Sequence, residues 1–226
     1  ELASHWFRHY ASLGIRMQTH AHIVVHSTSD EEALRACRFL QEHNVSHISF
    51  VSEFSSAVKT AKVNDFIRSR YQPKQPNIPE LKQLPSETLG YQWADLLETN
   101  HLEPKFFVDE NRDDDRTFLI NRLHDTHDIW HIILGFDTSE PGEAGMNAFT
   151  YAQAFSPTTC MLIAAKLVRA IQMDDAHRHR MMHNISRGYR LGLALEPFLA
   201  VAWEDHWHRP VQDLRQQVGL TDALFN

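Results

Sequence analysis

Cysteine, glycine and long apolar runs are all scarce in this chain. The two cysteines among 226 residues, Cys37 and Cys160, cannot build a disulfide framework or a cysteine-rich zinc site, so a reducing compartment suits them best. Only 8 glycines are present, which argues against a turn-rich all-β fold. The longest apolar-rich run, 160–171, is interrupted by Lys166 and Arg169, and a membrane-spanning helix needs roughly 20 apolar residues. We therefore expect a cytoplasmic or peripheral membrane protein.

The chain also lacks the local motifs of several large enzyme classes. It contains no glycine-rich dinucleotide or phosphate loop, no G-x-S-x-G nucleophile motif and no CxxC pair. Its net charge of −7 gives no electrostatic attraction for nucleic acid, so no nucleic-acid partner is expected. If this protein catalyses an oxidation, the oxidant would have to come from a metal ion, dioxygen or a partner protein.

Helical periodicity dominates what is present, and the predicted fold class is all-α: a single multi-helix domain with a proline-rich connector. Four prolines lie within 73–85, where they remove backbone donors and disfavour helix in the residues before them. This connector is predicted to separate an N-terminal helical segment, 1–75, from a larger helical domain, 76–226, on which the segment packs. Helices are predicted at 29–43, 54–71, 87–99, 115–134, 143–154, 157–173, 175–195, 198–207 and 210–218, and short strands are an alternative at 22–26 and 47–51.

Histidine is abundant, with 16 residues, and three of them lie in the predicted helix 115–134. At about 100° per residue, His127, Asp128 and His131 fall within about a quarter turn of this helix, beside its apolar stripe. Imidazoles and carboxylates at such spacing can bind one ion together. His124 lies in the same arc and is a candidate to hydrogen-bond a ligand from outside the coordination shell.

Glu143 follows His131 by 12 residues, after a predicted turn. Gly135 suits the end of the first helix, and Ser139 with Pro141 suits the start of the next. Such a helix–turn–helix would bring Glu143 back over the first helix as a fourth ligand and leave open positions for water or substrate. The alternative is an exposed helix of mixed charge followed by an acidic loop.

The spacing alone leaves the chemistry open. HDxxH resembles the HExxH motif of zincin hydrolases, with a shorter aspartate in the position of the base. A His-Asp doublet is also typical of metal-dependent phosphohydrolases, which would need further ligands elsewhere in the chain. Two imidazoles favour zinc or iron, whereas two carboxylates and a phosphorylated ligand favour magnesium.

Longer motifs resemble those of one family. HDIWH, eleven residues and then Glu143 resemble the HDxxH-x11-E signature of the coenzyme Q (ubiquinone) biosynthesis protein 4 family. The segment that begins at Leu84, LPSETLGYQW, resembles the family's entry segment. The family's histidine helix resembles RTFLINRLHDTHD, in which Arg122 matches. The C-terminal end of the family resembles AWEDHWHRPVQDLRQQVGL. The resemblance covers roughly 81–222. The chain departs from the family's common residues at four positions, Leu123, His124, Asn147 and Thr150, so we expect a divergent homologue.

The resemblance implies an all-α protein that binds a divalent metal, zinc or magnesium, and sits on membranes within a quinone-synthesis assembly. It implies four residues as ligands and catalytic groups: His127, Asp128, His131 and Glu143. The family is implicated in removing the C1 carboxyl of a polyprenylated aromatic precursor with oxidation of that carbon, so a metal-dependent decarboxylase is the first interpretation. A non-catalytic isoprenoid-lipid-binding scaffold for quinone-synthesis enzymes is the second, and a zincin-like hydrolase is the third.

A polyprenyl tail needs a long apolar groove, and the resemblance implies one beside the metal. The candidate lipid-binding residues are Trp130, Ile133, Phe136, Phe149 and Phe155, each of which is also an ordinary core residue at helical spacing. The helix over 176–191 predicts contact with an anionic membrane surface or head group, because its two faces differ in charge. One face holds His179, Arg180, His183, Arg187 and Arg190; the other holds Met181, Met182, Ile185 and Tyr189. The expected partners are an isoprenoid lipid, a membrane surface, other quinone-biosynthesis proteins and a second copy in a homodimer.

Overall fold

Nine α-helices and two 3-10 helices, with no strand, make up the residues that the computed structural model describes, 61–102, 115–154 and 157–225. The all-α prediction is confirmed, and these residues belong to one compact unit. The α-helices are α1 (Ala61–Ser69), α2 (Ile78–Leu81), α3 (Leu89–Thr99), α4 (Asp115–Leu134), α5 (Glu140–Ala154), α6 (Pro157–Ala170), α7 (Asp175–Ala194), α8 (Val211–Gln217) and α9 (Asp222–Phe225), and the 3-10 helices are Phe198–Ala200 and Trp203–His206. No helix in this part of the chain is long and apolar enough to span a membrane.

The N-terminal predictions fall largely outside the described residues. Outside them lie the predicted helix 29–43, the alternative strands at 22–26 and 47–51, and the first part of the helix predicted over 54–71. Its second part is α1, whose Val63 and Ile67 are buried in the same core as α4. The division of the chain at residue 75 stays a prediction.

Helix ends follow the local signals where those signals are strong. The Asp174 side chain accepts a hydrogen bond from the His177 backbone N–H at 2.7 Å and caps α7. Helix α4 ends at Gly135, whose φ of +68° is left-handed and therefore favours glycine. The connector has no regular structure over 71–77, but α2 with Pro79 in its first turn then follows, so its extended part is shorter than predicted.

The predicted helix 198–207 is wrong in type, because two 3-10 helices stand in its place. Val201 and Ala202 leave the helical region between them, with Val201 extended at φ −103° and ψ 125°. The Trp203 indole N–H donates to the Phe198 carbonyl at 3.1 Å, which ties the two short helices together inside the core. Buried indoles in proteins usually have such a partner.

Helix α5 is the centre of the fold, since 11 of its 15 residues are buried. It packs most extensively against α7 and next against α6. At the α5–α7 contact a Cβ added to Gly188 would lie 2.0 Å from the Gly145 carbonyl oxygen, and one added to Gly192 would lie 2.7 Å from the Phe149 carbonyl oxygen. The two backbones therefore approach each other at a distance that only glycine permits.

An aromatic cluster holds α4 and α5 to the first 3-10 helix. Trp130 packs edge-on against Phe149 and Phe198, each with ring centroids 5.7 Å apart, and Phe149 lies 4.7 Å from Phe198. All three side chains are fully buried. Edge-to-face contacts of this kind add about 0.5–1.5 kcal/mol each beyond area burial.

A buried ion pair joins α4 to the second 3-10 helix. Arg122 donates to Glu204 and to the Val201 carbonyl, and the side chains of Arg122 and Glu204 are 2% and 1% exposed. The Arg122 guanidinium also lies over the rings of Phe66 and Tyr71, at 5.2 and 5.4 Å from their centroids. Arg122 thus links α1, α4 and the C-terminal part of the chain.

The predicted division of the 176–191 helix into a basic and an apolar face is wrong in part. Arg187 is buried, with its Nη2 donating to the Leu134 carbonyl at 2.7 Å and its Nε donating to the Phe225 carbonyl at 2.9 Å. Met182 and Tyr189 are exposed instead. Arg187 turns inward because the last carbonyls of α4 have no partner within their own helix.

Candidate metal centre

Helices α4 and α5 bring three of the four predicted ligands together. One ligand atom each from His127, His131 and Glu143 lies within 4.8 Å of the other two, and this is the one such group among the described residues. His131 Nε2 lies 3.2 Å from one Glu143 oxygen, and His127 Nε2 lies 3.7 Å from the other. Two imidazole nitrogens and a carboxylate in this arrangement are a donor set that zinc and other divalent cations accept.

The α4–α5 turn sets the position of Glu143. After Gly135 the chain turns at Asp137, whose side chain accepts hydrogen bonds from the backbone N–H and the hydroxyl of Ser139. The Ser139 hydroxyl accepts from the Gly142 N–H at 3.3 Å, and its carbonyl accepts from the Glu143 N–H at 2.8 Å. Glu143 therefore lies in the first turn of α5 and faces the last turns of α4, as the sequence predicts.

The same turn fixes the orientation of the His131 ring. Its Nδ1 lies 3.0 Å from the Phe136 carbonyl oxygen, which can only accept, so the ring proton sits on Nδ1. The lone pair of Nε2 then points toward Glu143 and His127. This backbone-anchored tautomer is the usual one for a metal-binding histidine.

One observation tests directly whether the residues fit a cation. His131 Nε2 is buried and has no hydrogen-bond partner among the described residues, although Glu143 lies 3.2 Å away. A buried polar nitrogen without a partner costs free energy. A cation bound between His131 Nε2, His127 Nε2 and Glu143 would satisfy it, so the residues present fit a divalent metal.

The charges of His131 and Glu143 depend on each other. Burial opposes the imidazolium, but the Glu143 carboxylate outweighs it and raises the pKa of His131 above its usual value. Burial likewise opposes the carboxylate, but His131, His127 and the more distant Lys166 outweigh it and lower the pKa of Glu143. The site thus stabilises one positive charge against Glu143, a charge that a metal ion can supply instead of a proton.

Asp128 and His124 lie outside this three-residue cluster. Asp128 sits on the far side of His127, with its Oδ1 3.6 Å from Nδ1, where a carboxylate can orient the ring rather than share the ion. His124 is exposed one turn earlier on α4. Their predicted roles, as a ligand and as an outer hydrogen-bonding group, stay predictions.

The residues proposed to bind lipid lie mostly in the core. Trp130, Ile133, Phe136 and Phe149 are all buried and belong to one hydrophobic cluster. Phe155 lies outside the described residues. The lipid groove therefore stays a prediction.

Two arginines hold the end of α4 in place, a role that the sequence analysis did not predict for either of them. Arg215 donates from Nε to the Ile133 carbonyl at 2.8 Å and from Nη2 to the Ile132 carbonyl at 3.0 Å. Arg187 covers the next carbonyl of the helix, at Leu134, and the Phe225 ring lies 4.7 Å from both guanidinium groups. The local sequence signal for such capping is weak, because both arginines come from distant helices.

Comparison with known proteins agrees with the sequence motifs. Residues 58–223 match the sequence model of the family described as coenzyme Q (ubiquinone) biosynthesis protein Coq4. The mitochondrial ubiquinone biosynthesis protein coq4 of Talaromyces marneffei is 27% identical over 156 residues, which cover 68% of this chain and 53% of that protein. The corresponding homologue of Aedes aegypti is 24% identical over 156 residues, covering 68% of this chain and 56% of that protein. This chain thus spans about half the length of these curated relatives.

A solved structure supports the same relationship. The crystal structure of a putative ubiquinone biosynthesis protein from Nostoc punctiforme matches with a TM-score of 0.63 and 30% identity, covering 72% of this chain and 77% of that one. The match of the family model over most of the chain, the agreement in fold and the His127, His131 and Glu143 cluster point the same way. This chain is a member of the coenzyme Q (ubiquinone) biosynthesis protein Coq4 family.

Proposed function

We propose that this protein acts in ubiquinone biosynthesis as a metal-dependent decarboxylase of a polyprenylated aromatic acid. The observation that carries the proposal is the buried His131 Nε2, which faces His127 and Glu143 and has no hydrogen-bond partner among the described residues. Family membership supplies the pathway, since the curated relatives bear the name of ubiquinone biosynthesis proteins.

The residues would hold a divalent cation through His127 Nε2, His131 Nε2 and Glu143, with Asp128 either orienting His127 or joining as a fourth ligand. Such a cation supplies Lewis acidity, which stabilises negative charge on a substrate carboxylate or phenolate. The imidazole donors favour zinc over magnesium.

The overall reaction replaces the C1 carboxyl with a hydroxyl. The acid and one water give the phenol and carbon dioxide, and two protons and two electrons are released. Dioxygen, reduced to hydrogen peroxide, is the acceptor we propose.

The test combines metal content with turnover. Purified wild-type protein is expected to bind about one zinc per chain and to release carbon dioxide from a carboxylated prenylphenol. His131→Ala is expected to lose both properties, whereas His208→Ala removes an exposed histidine outside the site and should keep both. Zinc binding without turnover would instead favour the non-catalytic scaffold, and turnover that survives in the His131→Ala variant would contradict the proposal.

We also propose that the surface formed by α6 and α7 contacts an anionic membrane. Six of the seven large apolar side chains that are exposed in the described part of the chain lie on this segment: Leu162, Val168, Ile171, Met182, Tyr189 and Leu193. Between residues 157 and 194 there are six lysines and arginines, of which Arg187 is buried, and two acidic residues, although the whole chain carries −7. An apolar surface with basic side chains is typical of a protein that lies on anionic lipid.

Vesicle flotation tests the membrane proposal. The wild type is expected to float with vesicles that contain phosphatidylglycerol at low salt, and the double variant Ile171→Glu with Leu193→Glu is expected to stay in the lower fraction. Leu102→Glu adds one such charge at the seventh exposed apolar residue of the described part of the chain and should float like the wild type. Failure of the wild type to float would remove the membrane contact while leaving the metal centre untouched.

A further inference from the structure

Helices α5 and α6 form an antiparallel pair, and one exposed ion pair shows which residues lie opposite each other. Arg169, near the end of α6, places its Nε 3.4 Å from the carboxylate of Glu140, the first residue of α5. Three residues further along α5 is Glu143, and three residues back along α6 is Lys166. Because helix neighbours three apart share a face, the register places Lys166 opposite the metal ligand Glu143.

Lys166 differs from the neighbouring cations in having no ion-pair partner among the described residues. Arg169 and His177 both lie 3.4 Å from Glu140. Lys166 is half-buried, yet its ammonium makes no hydrogen bond and lies within 4.0 Å of no carboxylate oxygen in the described part of the chain. Lys166 thus lies opposite Glu143 in the α5–α6 register, while its ammonium stays more than 4.0 Å from the Glu143 carboxylate oxygens.

An anion close to Lys166 would lower two electrostatic costs. A half-buried lysine loses part of its hydration without a counter-ion in return. A fixed positive charge beside His127, His131 and Glu143 also repels the cation that these residues would hold. An anion placed between the metal ion and Lys166 would offset both costs at once.

We propose that Lys166 forms a carboxylate subsite beside the metal centre. The inference rests on the proposed function and names the group that recognises the acid. One carboxylate oxygen of the aromatic acid faces the metal ligands and the other accepts a hydrogen bond from the Lys166 ammonium, a charge-assisted contact. The subsite distinguishes the acid from the phenol that replaces it, because the product has no carboxylate to accept a hydrogen bond from Lys166. Lys166 is thus a positioning residue that also favours product release.

The experiment measures two binding equilibria by calorimetry. Zinc is titrated into each variant, and then a short-chain prenyl hydroxybenzoate or the matching prenylphenol is titrated into the zinc-loaded and the zinc-free protein. The variants are Lys166→Met, Lys166→Arg and, as a charge-matched control one turn along α6, Arg169→Met. Circular dichroism verifies that each variant is folded.

Lys166→Met is expected to bind the acid about tenfold more weakly and the phenol with unchanged affinity, a loss that corresponds to one charge-assisted contact. It is also expected to bind zinc alone about threefold more tightly, since a like charge has been removed. Lys166→Arg should bind the acid within about threefold of wild type because it retains the charge. Arg169→Met should leave the preference for acid over phenol unchanged.

Different results would contradict the carboxylate subsite and the metal centre. If Lys166→Met binds acid and phenol as the wild type does, or loses affinity for both equally, the carboxylate subsite is wrong even when zinc binds normally. If the wild type binds no acid at all, the subsite is equally wrong. If the wild type binds no zinc, the proposed function is wrong, and the acid affinities of the zinc-free proteins still decide the role of Lys166.

Discussion

The Arg187 side chain joins the stability of the fold to the geometry of the metal centre, and its removal tests that connection. Arg187 makes charge-assisted hydrogen bonds to the Leu134 and Phe225 carbonyls and lies 4.5 Å from the centroid of the Phe136 ring. Phe136 in turn supplies the carbonyl that orients His131. In Arg187→Met both carbonyls lose their donor in a buried region.

The magnitude follows from these contacts. A hydrogen bond to a charged group contributes about 1.5–3 kcal/mol, and the methionine recovers part of the loss because a buried guanidinium no longer has to be desolvated. We expect Arg187→Met to lower the free energy of unfolding by about 2–4 kcal/mol, a large share of the 5–15 kcal/mol typical of a domain. Zinc affinity should fall as well, since the turn that holds His131 loosens.

Urea unfolding followed by circular dichroism measures the first effect, and zinc titration measures the second. Arg190→Met on the same helix is the matched control, because Arg190 is exposed and should change stability by less than about 0.5 kcal/mol. If Arg187→Met is no less stable than Arg190→Met, the reasoning is refuted. If stability falls and zinc affinity does not, the proposed link between the Arg187 hydrogen bonds and the position of His131 is refuted.

Three further predictions concern the fold. Gly188→Ala would place a Cβ 2.0 Å from the Gly145 carbonyl oxygen, so the free energy of unfolding measured by thermal unfolding should fall by about 3 kcal/mol or more. Gly219 has a left-handed backbone and open space around it, so the control Gly219→Asn should lower the free energy of unfolding by less than about 1 kcal/mol. Arg122→Met should cost about 3–5 kcal/mol in urea unfolding because it leaves Glu204 buried and unpaired. Lys62→Met, in the exposed pair with Glu196, should cost under about 1 kcal/mol, and equal losses for the two variants would contradict this assignment. Trp130→Ala should cost about 3–5 kcal/mol as a core residue, and a variant that keeps wild-type stability but loses isoprenoid binding would show that Trp130 lines a groove instead.

Local signals in the sequence were enough to predict the centre of the candidate site. Gly135, Ser139 and Pro141 mark the α4–α5 turn through their own backbone preferences, and those preferences hold in the structure. Helical periodicity then places His127 and His131 on one arc. The approach of Glu143 follows from the turn, so the three-residue cluster could be predicted without tertiary information.

The parts that the sequence did not predict depend on distant contacts. Arg187 resembles its exposed neighbours on a helical wheel, and its burial is set by the carbonyls of α4 some 50 residues away in sequence. The close contact of α5 and α7 likewise depends on Gly145 and Gly188, which carry no local signal of a neighbour. The two 3-10 helices that replace the predicted helix 198–207 are likewise tied together by a buried contact, from the Trp203 indole to the Phe198 carbonyl.

The central claim is that one divalent cation is bound jointly by the last turns of α4 and the first turn of α5. Anomalous diffraction at the zinc edge, from crystals of the zinc-loaded protein, tests it most directly. The account predicts a single strong peak at about 2.0–2.2 Å from His127 Nε2, His131 Nε2 and a Glu143 oxygen. A zinc-loaded crystal with no peak there, or with the Glu143 carboxylate turned away from both imidazoles, would contradict it.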